Sequence, residues 1–141
     1  AARLTLEPGA DLRFETNVGL EVKGELSAEG VEDNVVTLHG VTGELGAWGG
    51  VRLVDAGVAN LDWVALKQGG GIDWNTSASR AANLNVTSSN VMINMSNITL
   101  SGSAGGGIYL NEAPMMTCDN IKIEDDPAVF GVLDDLASVC D

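Results

Sequence analysis

The sequence predicts an all-β solenoid, a coil of short strands that all run the same way, closed by a short C-terminal capping helix. Three observations carry this. The stretch from Asn97 to Leu110 has an earlier near-copy from Asn60 to Trp74; each opens Asn, apolar, polar, apolar and runs into Gly-Gly-Gly-Ile. The same opening recurs at Asn17, Asn83, Asn90 and Asn120, so six of the eleven asparagines begin it. Asparagine tolerates left-handed backbone and turns the chain, and the alternating triplet after it makes a short strand with one face inward. Finally, no Asn-Gly or Asp-Gly dipeptide occurs anywhere in the chain. Those are the bends that antiparallel hairpins prefer, so one-way turns explain the spacing better.

Along the chain, Leu4 and Leu6 alternate before Pro8-Gly9, and Leu12 and Phe14 alternate before Asn17 and Gly19. Leu20 with Val22, then Leu26 with Ala28, repeat the pattern between Gly24 and Gly30. A strand is predicted from Val35 to Leu38 and another from Val51 to Leu53, the latter swung in by Gly49 and Gly50. Asn60 to Asn83 and Asn97 to Asn120 are both 23 residues apart, enough for three short sides with turns. Asn83, Asn90 and Asn97 are spaced by seven, which predicts successive corners of one coil, with 60–97 enlarged by a loop at 75–82. Residues 127–140 change period. Val129, Val132, Leu133, Leu136 and Val139 or Cys140 suit an amphipathic helix, with Asp126 as cap and Pro127 at its first position. The division is therefore one domain over 1–141, with coils at 3–126 and a cap at 127–141.

Composition fits a thin layered core: 45% of the 141 residues are hydrophobic but only 4% aromatic, with 18 glycines and 3 prolines. Twenty acids against seven bases leave a net charge of -13, which repels nucleic acid, other polyanions and anionic membranes. No run of 18 apolar residues spans a membrane. The Ala1-Ala2 opening suits either a mature protein after signal cleavage or a trimmed chain.

Several phrases resemble one family: Glu7 to Phe14, Gly24 to Gly30, Trp48 to Leu53 and the Gly-Gly-Ile repeats. Together they are similar to the right-handed parallel β-helix domains of bacterial secreted and surface proteins, in the pectate-lyase-like superfamily. The resemblance covers about residues 3–126 and implies fold more than function, since this architecture serves lyases, hydrolases, tailspikes, adhesins and inert stalks. Typical members carry more coils than this chain can hold.

The chemistry-bearing residues are sparse. Arg3, Arg13, Lys23, Arg52, Lys67, Arg80 and Lys122 are scattered singly, so no basic groove for an acidic sugar is expected. Paired carboxylates for glycoside hydrolysis are sought in Asp62 with Asp73 and Asp125 with Asp126, against the plainer reading of outward acids and a turn. Glu124 to Asp126 with Asp134 and Asp135 offer at most weak Ca²⁺ binding, and no other cofactor is indicated. His39 is the only histidine and has no nucleophile motif near it. The glycine triplets lack the Lys-Ser or Lys-Thr of a phosphate loop and read as corners.

Cys118 and Cys140 suit a disulfide that staples the cap to the coil wall; two small buried hydrophobes are the other reading. No metal-ligand spacing accompanies them. Asn75, Asn85, Asn94 and Asn97 begin glycosylation sequons, but stacked, hydrogen-bonded asparagines are the favoured reading over glycosylation. Trp48 reads as a lid on the coil edge or as a sugar-stacking platform. Trp63, Trp74 and Tyr109 are further candidate glycan contacts, although Trp63 and Trp74 take inward-type positions that suit packing.

The expectation is thus a non-catalytic extracellular or cell-surface structural or adhesive module. It would self-associate into a surface assembly or filament, or pack on neighbouring domains of a larger protein. Its surface suits neither nucleic acid nor membrane insertion. The alternative is a carbohydrate-binding or polysaccharide-degrading β-helix protein.

Overall fold

The computed structural model describes residues 2–72, 74–135, 137 and 140. They form twelve strands: β1 (Arg3–Leu6), β2 (Asp11–Phe14), β3 (Leu20–Val22), β4 (Glu25–Glu29), β5 (Val36–Gly40), β6 (Val51–Leu53), β7 (Val58–Lys67), β8 (Ala82–Val86), β9 (Met92–Ser101), β10 (Gly106–Leu110), β11 (Met115–Ile123) and β12 (Val129–Gly131). Every pairing between these strands is parallel. One sheet holds β1, β4, β7, β9 and β11 in sequence, with β5 and then β2 paired to the second half of β7. The other runs β3-β6-β8-β10-β12. Chain order alternates between the two sheets, a path consistent with a β-solenoid of five coils.

The register shows the size of each coil. It advances 22 residues from Arg3 to Glu25, 33 from Glu25 to Val58, 34 from Val58 to Met92 and 23 from Met92 to Met115. In the first two coils, separate strands form the two sides of the first sheet. In the last three, those sides fuse into the long strands β7, β9 and β11, each turned at mid-length by a left-handed residue: Trp63, Asn97 and Asn120, with φ of 52°, 56° and 56°.

Inward side chains stack in columns. Leu26, Ala59, Ile93 and Met116 share one; Leu38, Leu66 and Leu100 another; Val51, Leu84, Ile108 and Val129 a third. All are at most 3% exposed. Each full burial of such a side chain contributes about 1.5–3 kcal/mol, which lets a core poor in rings hold the coil.

Outward polar residues stack as well. Arg3 donates to Glu25 Oε2 at 2.8 Å, and Asn60 donates to Glu25 Oε1 at 3.2 Å. Asn94 donates to Asn60 Oδ1 at 2.8 Å, and Thr117 donates to Asn94 Oδ1 at 2.7 Å. At the corner, Asn120 donates to Asn97 Oδ1 and Asn97 to Asp62 Oδ1, at 2.8 and 3.0 Å. The asparagine repeat is therefore in part a hydrogen-bonded ladder.

Two expectations need correction. Asn97 to Asn120 is a true coil repeat, but Asn60 to Asn83 is not. Asn60 pairs with Asn94, and Trp63 holds the corner that aligns with Asn97. A four-residue motif does not distinguish a corner from a strand interior; the register does. The terminal helix does not form over residues 127–135. Val129 and Phe130 pair with Ile108 and Tyr109 as β12, and Gly131 has φ of 116°, outside helical space. A free strand edge on β10 outweighs a weak helical period in a segment with valine, phenylalanine and glycine. Leu136 and Val139 lie outside the described residues.

Candidate functional site

The 34-residue third coil is eleven residues longer than the fourth, and ten of those residues go into the turn between β7 and β8. This loop, residues 68–81, lies against the outward side chains of the second sheet. The turn at 41–50 packs beside it so closely that a Cβ on Gly71 would meet the Gly46 carbonyl oxygen at 1.8 Å. Long turns on a rigid scaffold are where binding groups concentrate.

Two buried asparagines fasten the loop from below. Asn83 Oδ1 accepts from the Gly69 N–H at 2.7 Å. Asn85 Oδ1 accepts from the Arg80 N–H at 2.8 Å, while its Nδ2 donates to the Arg80 carbonyl at 3.0 Å. From above, Trp74 and Arg80 grip the sheet: the Arg52 guanidinium carbon sits 5.5 Å from the Trp74 ring centroid, and that of Arg80 lies 5.6 Å from Tyr109. Tyr109 in turn packs against Phe130 at 4.9 Å. Arg52 also donates to Glu21 Oε2 at 2.7 Å. The loop itself forms an open recess of about 290 Å³ lined by Ile72, Trp74, Thr76, Ser79 and Arg80. Among the described residues, Trp74 Nε1, Ser79 Oγ and Arg52 Nε are buried without a hydrogen-bond partner. An unmet buried donor costs about 1–3 kcal/mol, so these groups favour a bound acceptor. Among the described residues, the lining has no carboxylate, imidazole or thiol. The arrangement can donate hydrogen bonds and stack against a ring.

The other sequence candidates are dispersed. Trp48 is fully buried, stacked on Phe14 with 4.1 Å between centroids and its indole N–H bonded to the Lys67 carbonyl. It is therefore no sugar platform. Trp63 is a partly exposed corner residue, not an inward one. Of the sequons, Asn85 is fully buried with both amide atoms engaged, which leaves no room for a glycan on the folded chain. Asn94 and Asn97 use their amide nitrogens in the ladders, and Asn75 has left-handed backbone at φ 55°. Asp62 belongs to the corner ladder, and Asp73 lies outside the described residues. Asp125 spends its carboxylate on Asn83 and the Ser103 N–H, both at 2.8 Å, while Asp126 precedes Pro127 in a turn. No group of three or more metal-ligating side chains gathers among the described residues, including Glu124, Asp134 and Asp135. Cys118 and Cys140 form a disulfide, which points to a non-cytoplasmic setting. No helix of the described residues is long and apolar enough to cross a membrane.

His39 stands on the outward face beside Asp11, Nε2 to Oδ1 at 2.5 Å, with Arg13 at 3.5 Å from the other carboxylate oxygen. The His39 hydrogen bond, opposed by some desolvation and aided by the charges of His39 and Arg13, holds the Asp11 carboxyl below its ordinary 3.8. A depressed folded pKa contributes stability above the unfolded value and loses it as pH falls through the folded one. Urea midpoints of the parent and Asp11→Asn should therefore converge as pH drops below about 4. A gap that widens on acidification would contradict this.

No protein-family model, curated protein or solved structure matches this chain.

Sequence reasoning did not bring Arg52, Ser79 and Arg80 together. Their signal was the uneven coil length, legible only once Asn60 is aligned with Asn94.

Proposed function

We propose that this chain is a non-catalytic structural and adhesive module of the cell surface or extracellular space. Its architecture on this reading is a right-handed parallel β-helix of the pectate-lyase-like superfamily. The hand follows from the strong right-handed preference of parallel crossovers, and the family from the phrases around Pro8, Gly24 and Trp48. The observation that carries the function is the outward ladder from Arg3 through Glu25, Asn60 and Asn94 to Thr117. Its polar groups satisfy one another along the coil and so serve stiffness rather than chemistry. The unpaired outer edges of β1, β2 and β3 support self-association or packing on a neighbouring domain. A net charge of -13 supports neither nucleic acid nor an anionic membrane as partner. A reducing-sugar assay over neutral and acidic polysaccharides tests the reading: no turnover is expected, and turnover above a heat-denatured control overturns it.

Trp74 Nε1, Ser79 Oγ and Arg52 Nε, without a hydrogen-bond partner among the described residues, favour a second reading, carbohydrate binding at Trp74. A glycan array decides it: a signal that disappears in Trp74→Ala supports the second reading, and silence removes it.

A further inference from the structure

We infer that the free edge of the first coil recognises its own copy: two chains meet head to head, with β2 pairing antiparallel to β2 of the second copy about a two-fold axis at Leu12. The inference rests on the self-association proposed above. It gives that association a closed form, a pair rather than a filament.

The backbone sets the register. Among the described residues, β1, β2 and β3 have no partner strand on their outer edges. Within β2, Leu12 pairs with Leu38 of β5, and the Ala10 and Phe14 carbonyls accept from the Thr37 and Val41 N–H groups at 2.9 and 3.0 Å. Successive residues of a strand turn their N–H and C=O groups to opposite edges, so Asp11 and Arg13 present theirs to the free one. An antiparallel partner bonds through opposed residues that exchange both groups. With the axis at Leu12, Asp11 exchanges with Arg13 of the second copy, and Arg13 with Asp11 of the second copy.

The side chains select the same register. In β2 the exposed positions are Asp11 and Arg13, and Leu12 and Phe14 are half-buried. The axis at Leu12 sets Asp11 opposite Arg13 of the second copy on either side of it, and Leu12 opposite its own copy on the inner face. Moving the axis by one residue sets Asp11 against Asp11 or Arg13 against Arg13, and like charges directly opposite work against pairing. Both charged side chains are accessible, Asp11 at 46% and Arg13 at 64% exposure. His39 engages Asp11 Oδ1 at 2.5 Å. Oδ2 has only its own Arg13 at 3.5 Å, the weak limit of a hydrogen bond, so it favours a closer guanidinium.

The rest of this end suits a second copy as well. Leu4 is 41% exposed, and a recess of about 330 Å³ opens between β1, β3 and β4, with Leu4, Leu20, Val22 and Leu26 in its lining. A covering copy removes that apolar surface from water. Residues 3–24 hold three bases (Arg3, Arg13, Lys23) against four acids, so the other twelve net negative charges lie beyond the first coil. A head-to-head contact keeps those charges on the far sides of the pair. Salt at about 0.15 M screens what remains beyond about 8 Å.

Sedimentation of the full chain in about 0.15 M salt tests this. The parent is expected at twice the 14.6 kDa of one chain, and no larger. Asp11→Arg sets cation on cation and Arg13→Asp sets acid on acid, so each variant alone should associate at least about tenfold more weakly. An equal mixture of the two variants restores opposite charges at both meetings and should restore the pair. A readout free of substitutions is amide exchange in the parent, where the Asp11 and Arg13 N–H groups should slow at least about tenfold as rising concentration drives pairing. A parent that stays a single copy overturns the inference, as do open-ended chains of more than two copies or single variants that pair like the parent. A mixture of folded variants that stays apart overturns it too, as do Asp11 and Arg13 amides whose exchange ignores concentration. If either variant loses its β-sheet circular dichroism, amide exchange in the parent decides. None of these outcomes touches the polysaccharide assay, so the scaffold reading stands or falls separately.

Discussion

Replacing Trp48 with alanine is expected to destabilise the protein by about 4 kcal/mol. The side chain is fully buried and joins three successive coils. It lies between β5 and β6 of the second coil, stacks on Phe14 of the first with 9° between the planes, and donates to the Lys67 carbonyl of the third at 2.6 Å. Alanine loses the transfer energy of the ring and leaves a cavity. It also forfeits an aromatic pair worth about 0.5–1.5 kcal/mol and strands a carbonyl at the end of β7. Trp48→Phe separates these contributions. It keeps a ring against Phe14 but lacks the N–H, so it should cost less than half as much. Urea unfolding followed by circular dichroism reads both. Equal losses in the two variants would place the energy in the hydrogen bond, and a loss under about 1 kcal/mol for alanine would remove Trp48 from the core.

The prominence of Trp48 bears on how much of this molecule can be read from its sequence. Alternation at Leu4-Leu6, Leu12-Phe14, Leu20-Val22 and Leu26-Ala28 located β1 to β4 because strand parity is a local signal, written in side chains two apart. The lack of tight hairpin dipeptides told against antiparallel pairing, and the strands are parallel. What failed was non-local. Asn60, Asn83 and Asn97 open with the same four-residue pattern, yet Asn60 faces out in a strand, Asn83 is buried and Asn97 is a left-handed corner. Their environments are set by the coil above and below, which the motif does not encode. The candidate site shows the same limit. Trp74 and Tyr109 were visible as aromatics, but Arg52 and Arg80 reach them only across coils of 33 and 34 residues. At the C-terminus, a three-and-four apolar spacing suggested a helix, while the open edge of β10 drew Val129 and Phe130 into a strand.

Asn83 shows what such cross-coil placement is worth, and Asn83→Ala should cost about 3 kcal/mol. Its amide is wholly buried and fully used: Oδ1 accepts from Gly69, and Nδ2 donates to the Ser101 carbonyl at 3.0 Å and to Asp125 Oδ2 at 2.8 Å. These partners belong to the third, fourth and fifth coils (a turn, the end of β9 and a turn), so one side chain holds three coils in line. Alanine leaves the buried Gly69 N–H unmet and removes a donor from the Asp125 carboxylate, while the Ser101 carbonyl keeps the Gln68 N–H at 2.8 Å, and the unmet N–H sets most of the cost. Asn83→Asp is sharper in direction. It keeps the shape but sets a second carboxylate against Asp125, and burial and like charge both raise the pKa of the introduced acid in the folded state. A raised folded pKa penalises the fold increasingly as pH rises above the unfolded value, so this variant should be weakest at neutral pH and recover as the medium is acidified toward pH ~4. That is opposite in sign to the loss expected of the parent at Asp11. Urea midpoints at the two pH values decide the matter: an Asn83→Asp protein that weakens on acidification more than the parent would mean that Asp125 does not face residue 83 in the folded chain.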